Sequence, residues 1–206
     1  MFYLVKAPWL IQKLYRDRAW KFKTREKKIW FTFDDGPNPE TTPFILEQLA
    51  KYDAKATFFC VGQQVEKYPD LFHQIRLQGH SVGNHTYSHL NGWKTKSKKY
   101  FEDVQRASAL IESHLFRPPY GRLTKFQAKT LTGSALQMKI VMWDVLSGDF
   151  DTRISPEHCY LNVVRNAGEG SIVVFHDSTK SFPNTKEALP ESLKYFKERG
   201  FVFEYI

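Results

Sequence analysis

Several polar side chains in this sequence could carry out hydrolysis, and they follow apolar segments of the chain one after another. The first two are Asp34 and Asp35, which come directly after the β-prone run 29–33 and directly before Gly36. An Asp-Gly pair after a strand is a strong turn signal. By itself the stretch predicts a turn about as well as it predicts the edge of a site, so the rest of the chain decides between them.

Two histidines, His85 and His89, have a spacing that is common in metal sites. Residues four apart lie on one face of a helical turn, from which both imidazoles can reach one cation, although capping and surface histidines show the same spacing. With Asp35 they form a set of two histidines and one carboxylate that leaves coordination positions open. Such a set serves metal-assisted hydrolysis and also non-haem iron oxygenation.

Hydrolysis and oxygenation differ in the other groups that they require. Hydrolysis needs a base that activates water and an acid that protonates the leaving group. Asp34, beside Asp35, can be the base, and His176, which follows a different apolar run, can be the acid. An oxygenase has no use for such a pair, so these residues favour hydrolysis.

Short β-prone runs alternate with helical patterns after residue 28. The predicted strands are 29–33, 56–61, 80–84, 115–117, 138–143, 171–175 and 201–205. The predicted helices are 42–52, 69–78, 97–113, 124–134, 156–166 and 185–199. This alternation predicts an α/β fold with about seven parallel strands and helical crossovers. We expect a distorted (β/α) barrel, closed or incomplete, although an open doubly wound sheet has a similar pattern.

The candidate residues share one position in this predicted fold, the carboxyl end of a strand. Functional groups gather at that edge in parallel α/β folds. They follow the first, third, fourth, fifth and sixth predicted strands and are Asp34, Asp35, His85, His89, Arg117, Tyr120, Asp149 and His176. A chance arrangement would scatter polar residues over both ends of the strands.

The composition is that of one folded domain. The chain has 206 residues, with 42% hydrophobic and 16% aromatic residues. Cys60 and Cys159 are far apart in sequence, which predicts buried free thiols. The first 20 residues lack an uninterrupted apolar core and a small-residue cleavage site, and no segment has transmembrane length. These features predict no secretory signal and a cytoplasmic or membrane-peripheral protein.

Positive charge is concentrated in the first 28 residues. Residues 1–28 carry nine Lys and Arg against Asp17 and Glu26, a net charge of +7 out of +8 for the whole chain. We therefore predict a basic, aromatic arm, 1–28, and a nearly neutral catalytic domain, 29–206, without a nucleic-acid interface. The arm, with a short helix starting near Pro8, is expected either to cover one end of the barrel or to contact an anionic membrane surface.

Five segments resemble, in order, the motifs of the polysaccharide deacetylases with a NodB-type domain, carbohydrate esterase family 4. They are TFDDGP (32–37), HTYSH (85–89), RPPYG (117–121), SGDF (147–150) and VFH (174–176). The resemblance covers residues 29 to about 205. Phe150 stands where the family usually has Trp, and Val174 stands where Leu is common. Both positions concern the apolar wall around the acetyl group and therefore bear on substrate preference.

The resemblance implies that Asp35, His85 and His89 bind one divalent metal ion. We expect zinc first, with cobalt, nickel, manganese and iron as alternatives that suit two imidazoles and a carboxylate. The resemblance also implies that Asp34 is the general base and that Arg117 pairs with it and holds it in place.

The resemblance assigns the remaining roles to later motifs. The backbone N–H of Tyr120 is expected to donate to the tetrahedral oxyanion. His176 is expected to protonate the departing amine, and Asp149 to orient His176 and keep it cationic. The residues expected to contact the substrate are Pro119, Tyr120, Phe150 and Val174.

The resemblance implies a metal-dependent hydrolase that removes acetyl groups from N-acetylated sugars of a polysaccharide or oligosaccharide. Chitin-like glycans, peptidoglycan and other GlcNAc-containing glycans remain open as substrates. The alternatives are a carbohydrate-binding protein that lost catalysis and an O-acetyl esterase acting on xylan. The intact base, acid and ligand set favours the deacetylase. The sequence does not predict an oligomeric state.

Overall fold

The computed structural model describes residues 3–133 and 136–206. Its strands are β1 (Lys28–Asp34), β2 (Ala56–Cys60), β3 (Ser81–Asn84), β4 (Leu115–Phe116), β5 (Lys139–Ile140), β6 (Val145–Leu146), β7 (Ile172–His176) and β8 (Val202–Phe203). Its helices are α1 (Trp9–Leu14), α2 (Thr42–Lys51), α3 (Gly62–Lys67), α4 (Pro69–Leu77), α5 (Ser97–Ile111), α6 (Lys125–Gly133), α7 (Pro156–Asn166) and α8 (Phe182–Glu198). Position 134 of a predicted helix lies outside the described residues.

The strands pair in parallel in the order β5-β4-β3-β2-β1-β7-β6, and β8 pairs with the start of β1. In the described part of the chain, β5 and β6 end this path without pairing with each other. The sheet is therefore a distorted, incomplete barrel. The predicted α/β fold with about seven parallel strands is confirmed, with seven strands along the path and β8 as an eighth.

The predicted strand 138–143 is wrong in its extent, because only Lys139–Ile140 form a strand within it and the next strand, β6, begins at Val145. Lys139 and Ile140 pair with β4, whereas Val145 and Leu146 pair with β7. Between them the backbone N–H of Met142 donates to the carbonyl of Ala19 in the N-terminal arm, at 2.7 Å. The arm thus interrupts the ladder in a way that the local sequence pattern does not show.

The core has one dense cluster around the central strands and helices α2, α7 and α8. Strands β1, β2 and β7 are almost entirely buried, as expected of parallel strands covered on both faces. Phe33 stacks on Phe58 with ring centroids 5.0 Å apart. Cys60 and Cys159 are buried free thiols, as predicted.

The N-terminal arm lies against the body of the protein and is hydrogen-bonded to both ends of the strand path. Leu146 N donates to Val5 O at 2.8 Å and Ala7 N donates to Asp144 O at 2.9 Å, which pairs the arm antiparallel to β6. Further along, Ala19 N donates to Ile140 O in β5 at 2.9 Å. The arm therefore contacts both ends of the strand path, and the predicted short helix near Pro8 is α1.

No helix in the described ranges 3–133 and 136–206 is both long enough and apolar enough to cross a membrane.

Candidate active site

The pairing of β1 with β7 brings the two proposed proton-transfer residues together. In this register Asp34 lies opposite His176, and neighbouring strands are roughly 4.8 Å apart. Register partners point to the same face of a sheet. The two side chains therefore stand side by side at the carboxyl edge of the strands.

The Asp-Asp-Gly stretch is both a turn and the edge of this site. Asp35 has a left-handed φ of 83°, which turns its carboxylate away from the direction that strand alternation would give it. A Cβ on Gly36 would lie 2.0 Å from Asp177 Oδ2, so only glycine fits there. Asp177 in turn accepts hydrogen bonds from Thr41 and Thr42 and holds the loop that follows.

Three potential ligand atoms face one another beside this turn. Asp35 Oδ1 lies 3.6 Å from His85 Nε2 and 3.1 Å from His89 Nε2, and all three residues can place a ligand atom within 4.8 Å of the others. Asp35 Oδ1 is buried and makes no hydrogen bond of proper geometry within the described residues. These residues fit a divalent cation, because it would satisfy an otherwise unpaired buried oxygen.

The protonation of the ligand set also suits a cation. His85 Nδ1 lies 2.8 Å from Arg117 O, which makes Nδ1 the donor and leaves the Nε2 lone pair facing Asp35. Burial lowers the pKa of His85 to about 4, so its imidazole is neutral at pH 7. Burial alone would raise the pKa of Asp35, but the close approach of His89 and the charges of the surrounding histidines hold it well below its usual value.

The four-residue spacing of His85 and His89 is common on a helical turn, but residues 85–89 form an irregular loop. The backbone N–H groups of Tyr87 and Ser88 donate to Asp103 Oδ2 at 2.8 and 2.9 Å. This carboxylate, which belongs to α5, replaces the carbonyl partners that a helix would supply. The loop nevertheless brings both imidazoles to Asp35.

Left-handed backbone conformations at non-glycine residues cluster around the site. Asp35, Thr86, His89 and Tyr120 have φ values of 83°, 63°, 54° and 60°. Each such residue costs on the order of 1–3 kcal/mol and persists where the surrounding structure enforces it. Clustered strain of this kind is typical of sites at which side-chain placement matters for function.

Asp34 is held by a fully buried arginine. Arg117 Nη1 donates to Asp34 Oδ1 at 2.7 Å, and the same guanidinium donates to Thr32 Oγ1 at 2.7 Å and to Met142 O at 2.9 Å. Burial lowers the pKa of Arg117, and the Asp34 carboxylate opposes that shift. Because Arg117 binds Oδ1, the geometry leaves Oδ2 of Asp34 to accept a proton.

His176 is held by a buried carboxylate. His176 Nδ1 lies 2.7 Å from Asp149 Oδ1, and Thr185 Oγ1 donates to Asp149 Oδ2 at 2.9 Å. Burial alone would lower the pKa of His176, but Asp149 outweighs it and the pKa is raised to about 9. The imidazole is therefore cationic at neutral pH and its Nε2–H can donate a proton.

Comparison with known proteins identifies the family to which these features belong. A family model described as polysaccharide deacetylase matches residues 21–138, more than half of the chain. The chain belongs to the polysaccharide deacetylase family. The resemblance predicted from the five motifs is thereby confirmed.

Two deacetylases illustrate how close the similarity is. A peptidoglycan-N-acetylglucosamine deacetylase of Bacillus cereus is 34% identical over 190 residues, which is 90% of this chain and 89% of the relative. The crystal structure of the Bc1960 peptidoglycan N-acetylglucosamine deacetylase, in complex with a substituted benzamide, superposes with a TM-score of 0.88 at 29% identity over 97% of this chain and 95% of that chain. Other relatives are longer, and this chain spans only 37% of one of them.

The polysaccharide deacetylase fold does not by itself guarantee catalysis. BA3943 of Bacillus anthracis, described as a pseudoenzyme of carbohydrate esterase family 4, superposes with a TM-score of 0.80 at 28% identity over 91% of this chain and 66% of that chain. Activity must therefore be argued from the site residues. In this chain the residues predicted to act as base, acid and metal ligands are all present and lie together.

The residues predicted to contact the substrate differ in accessibility. Tyr120 is 52% exposed and its hydroxyl lies 3.1 Å from His89 Nδ1, whereas Pro119 is buried. Phe150 is half-buried and packs edge-on against His176 at 5.1 Å. Val174 is only 1% exposed within β7. Tyr120 and Phe150 are thus accessible side chains at the border of the site. Substrate contact by Pro119 and Val174 remains a prediction.

The structure adds one residue to the site that sequence reasoning missed. Tyr3 of the arm packs against Phe150, with ring centroids 4.9 Å apart. The arm thus contacts Phe150, which in turn packs against the ring of His176. The only sequence signal for this contact was the aromatic content of the arm, which does not indicate a partner.

Asp149→Asn should move the alkaline limb of the pH–rate profile to lower pH. With a raised pKa of about 9, His176 stays protonated at neutral pH and loses its proton as the pH rises through that value. An asparagine amide removes the negative charge that raises the pKa. The measurement is kcat/KM between about pH 6 and pH 10. A profile that falls in height without moving along the pH axis would assign Asp149 a purely structural role.

Proposed function

We propose that this protein is a metal-dependent N-deacetylase acting on an N-acetylglucosamine-containing glycan, with peptidoglycan as the substrate class. One observation carries the proposal. An arginine-held carboxylate and a carboxylate-held histidine stand opposite each other on neighbouring strands, beside three ligand atoms that fit a divalent ion. Amide hydrolysis requires a base for the attacking water, an acid for the leaving amine and an electrophile that polarises the carbonyl. The carboxylate, the histidine and the bound ion would supply these three functions in that order.

Different residues serve the two steps of the reaction, the attack of water on the acetamide and the departure of the sugar amine. A divalent ion held by Asp35, His85 and His89 would polarise the acetamide carbonyl and lower the pKa of a nearby water molecule. Asp34 accepts the proton of the attacking water through Oδ2, while Arg117 keeps the carboxylate in position.

Departure of the sugar amine depends on the opposite side of the site. An amine leaves poorly as an anion, so His176 donates its Nε2 proton to nitrogen as the C–N bond breaks. The backbone N–H of Tyr120 donates to the oxyanion before that step, a contact typically worth about 3–4 kcal/mol. The expected products are acetate and a free amino sugar.

Zinc is the proposed metal. Two imidazoles and one carboxylate are a common catalytic zinc set that keeps a position open for water or substrate. Cobalt, nickel, manganese and iron suit the same ligands and are the alternatives for a metal-replacement experiment.

The choice of a polymeric glycan rests on the relatives and on the surface beside the ligands. The Bacillus cereus relative and the Bc1960 structure are both named as peptidoglycan-N-acetylglucosamine deacetylases. Next to Tyr120, Arg122 stacks on Trp93 at 4.1 Å, and Trp93 is 59% exposed. Flat exposed rings of this kind can pack on sugar rings. We assign the catalytic domain to residues 29–206 and treat residues 1–28 as its strap.

A panel of substrates tests the proposal. Zinc-loaded protein is incubated with peptidoglycan, chitooligosaccharide and O-acetylated xylan, and released acetate is measured together with new primary amine. We expect equal amounts of acetate and amine from the first substrate. Acetate from xylan with none from either N-acetylated glycan would replace the proposal with an O-acetyl esterase.

His176→Ala should impair amide substrates much more than activated aryl acetate esters. An aryl oxide leaves without protonation, whereas an amine does not, so only the amide requires the acid. The expected loss in kcat is about 10²–10⁴-fold for the N-acetylated glycan and much smaller for the ester. Parallel assays of both substrates make the comparison, and equal losses would remove His176 from the acid role.

A further inference from the structure

Helix α1 lies on the surface with its polar side toward the protein. None of its six residues is buried. Its polar contact with the body is made by Gln12, whose side-chain amide donates to Asp144 Oδ1 at 3.4 Å and also to Ala7 O of the arm at 3.0 Å. Asp144 is itself buried and also accepts a hydrogen bond from Lys6 at 2.7 Å. A polar network, rather than an apolar stripe, therefore attaches α1 to the domain.

The apolar residues of α1 face the solvent instead. Trp9, Leu10 and Leu14 are 66%, 62% and 68% exposed, and Ile11 is 39% exposed. Leu10 and Leu14 are four residues apart and lie on one face of the helix. An amphipathic helix normally packs its apolar side on its own domain. The reversed orientation of α1 leaves a contiguous apolar surface that lacks a cover within the described part of the chain.

Positive charge lies close to this apolar surface. Lys13 and Arg16 are exposed, and Lys13 Nζ lies 5.7 Å from the ring of Trp9. An open groove beside α1 is lined by the cationic residues Lys21, Lys23 and Arg25, with Glu169 as an acidic neighbour. Counting Asp17 and Glu26, the whole arm still carries a net charge of +7. The partner of this surface is therefore expected to be both apolar and anionic.

Helix α1 lies far from the catalytic edge along the strands. The arm begins at that edge, where Tyr3 packs against Phe150. It then runs antiparallel to β6. Ala7 of the arm contacts Asp144, the residue that precedes β6. Helix α1 follows Ala7 and thus lies at the opposite end of the strands. A partner on α1 would leave the candidate active site open to a large substrate.

We propose that α1 and the surrounding cations dock the protein on an anionic lipid bilayer, with Trp9, Leu10 and Leu14 entering the interface. Tryptophan is enriched at the level of the headgroups, and leucine adds apolar area below them. Lys and Arg near an anionic bilayer strengthen attachment, and this contribution weakens with salt. The docked protein directs its catalytic edge away from the lipid. The inference does not depend on the deacetylase activity.

Vesicle co-sedimentation of the full chain tests the docking surface. The probes are vesicles of phosphatidylcholine alone and vesicles with added phosphatidylglycerol, at low and at high salt. We expect binding to the anionic vesicles that weakens with salt, and a loss of about tenfold or more in the double variant Leu10→Ser with Leu14→Ser. Lys13→Glu with Arg16→Glu should also weaken binding.

Matched controls separate docking from general effects. Leu77→Ser removes a leucine that is 71% exposed on α4, and Lys98→Glu with Lys99→Glu reverses two exposed charges on α5. Both controls should bind as the parent does, and all variants should keep the parent melting temperature. Equal binding of the leucine double variant and the parent would overturn the proposal. A dimer that the same leucine variant disrupts, without vesicle binding, would assign the surface to a second copy of the chain.

Discussion

Asp34→Asn should lower kcat for deacetylation about 10²–10⁴-fold while leaving the bound metal in place. The substitution keeps the shape of the side chain but removes the proton acceptor. It does not alter a proposed ligand residue, because the three residues that could hold the metal are Asp35, His85 and His89. A large loss of turnover in a protein with unchanged metal content would place Asp34 in the role of the base.

Asp34→Asn also leaves the Arg117 guanidinium buried without its counter-charge, since Arg117 is 0% exposed. We therefore expect a lower melting temperature as well, and the assay temperature must stay below it. The control is Asp53→Asn, a carboxylate whose side chain is 95% exposed, which should change neither turnover nor stability. Substantial turnover by folded Asp34→Asn protein would exclude Asp34 as the base.

His85→Ala should abolish metal binding at stoichiometric metal, and deacetylation with it. The substitution removes one of three ligand residues, so the loss in affinity should exceed the about 10–100-fold that is typical of losing an outer-shell partner. His85 is also buried, with its Nδ1 on Arg117 O, so the change disturbs the hold on Asp34 as well. Metal content is measured by mass spectrometry after dialysis against buffered zinc.

His73→Ala is the matched control for the ligand experiment. His73 is an exposed histidine of α4, outside the site, and its removal should leave metal content and turnover unchanged. Asp35→Ala should behave as His85→Ala does, because it removes the carboxylate from the same set. Parental metal content in either ligand variant would show that the cation, if present, is bound elsewhere.

The sequence predicted the parts of the site that depend on strand ends. Strand and helix alternation is a local property, and the carboxyl-edge rule then groups residues that are far apart in the chain. That reasoning correctly placed Asp34 and His176 together, although 142 positions separate them in the sequence. It also paired the ligand carboxylate with the two histidines, as the structure does.

The errors come from long-range contacts that leave no local signal. The histidine loop is irregular because Asp103, a residue of α5, captures two backbone N–H groups. The fifth predicted strand ends early, at Ile140, where the arm joins the sheet and Met142 N donates to Ala19 O. The apolar pattern of α1 correctly predicted a helix, but the pattern does not show which face contacts the domain. The hydrogen bond from Gln12 to Asp144, which are 132 positions apart in the chain, sets that orientation.

Chelation followed by restoration of the metal is the sharpest test of metal-dependent removal of N-acetyl groups. The protein is stripped with a chelator, restored with one equivalent of zinc, and assayed on peptidoglycan for acetate and primary amine. We expect no release by the stripped protein and equal acetate and amine after restoration. Equal release by stripped and restored protein, or no release with zinc or any alternative metal, would contradict this expectation.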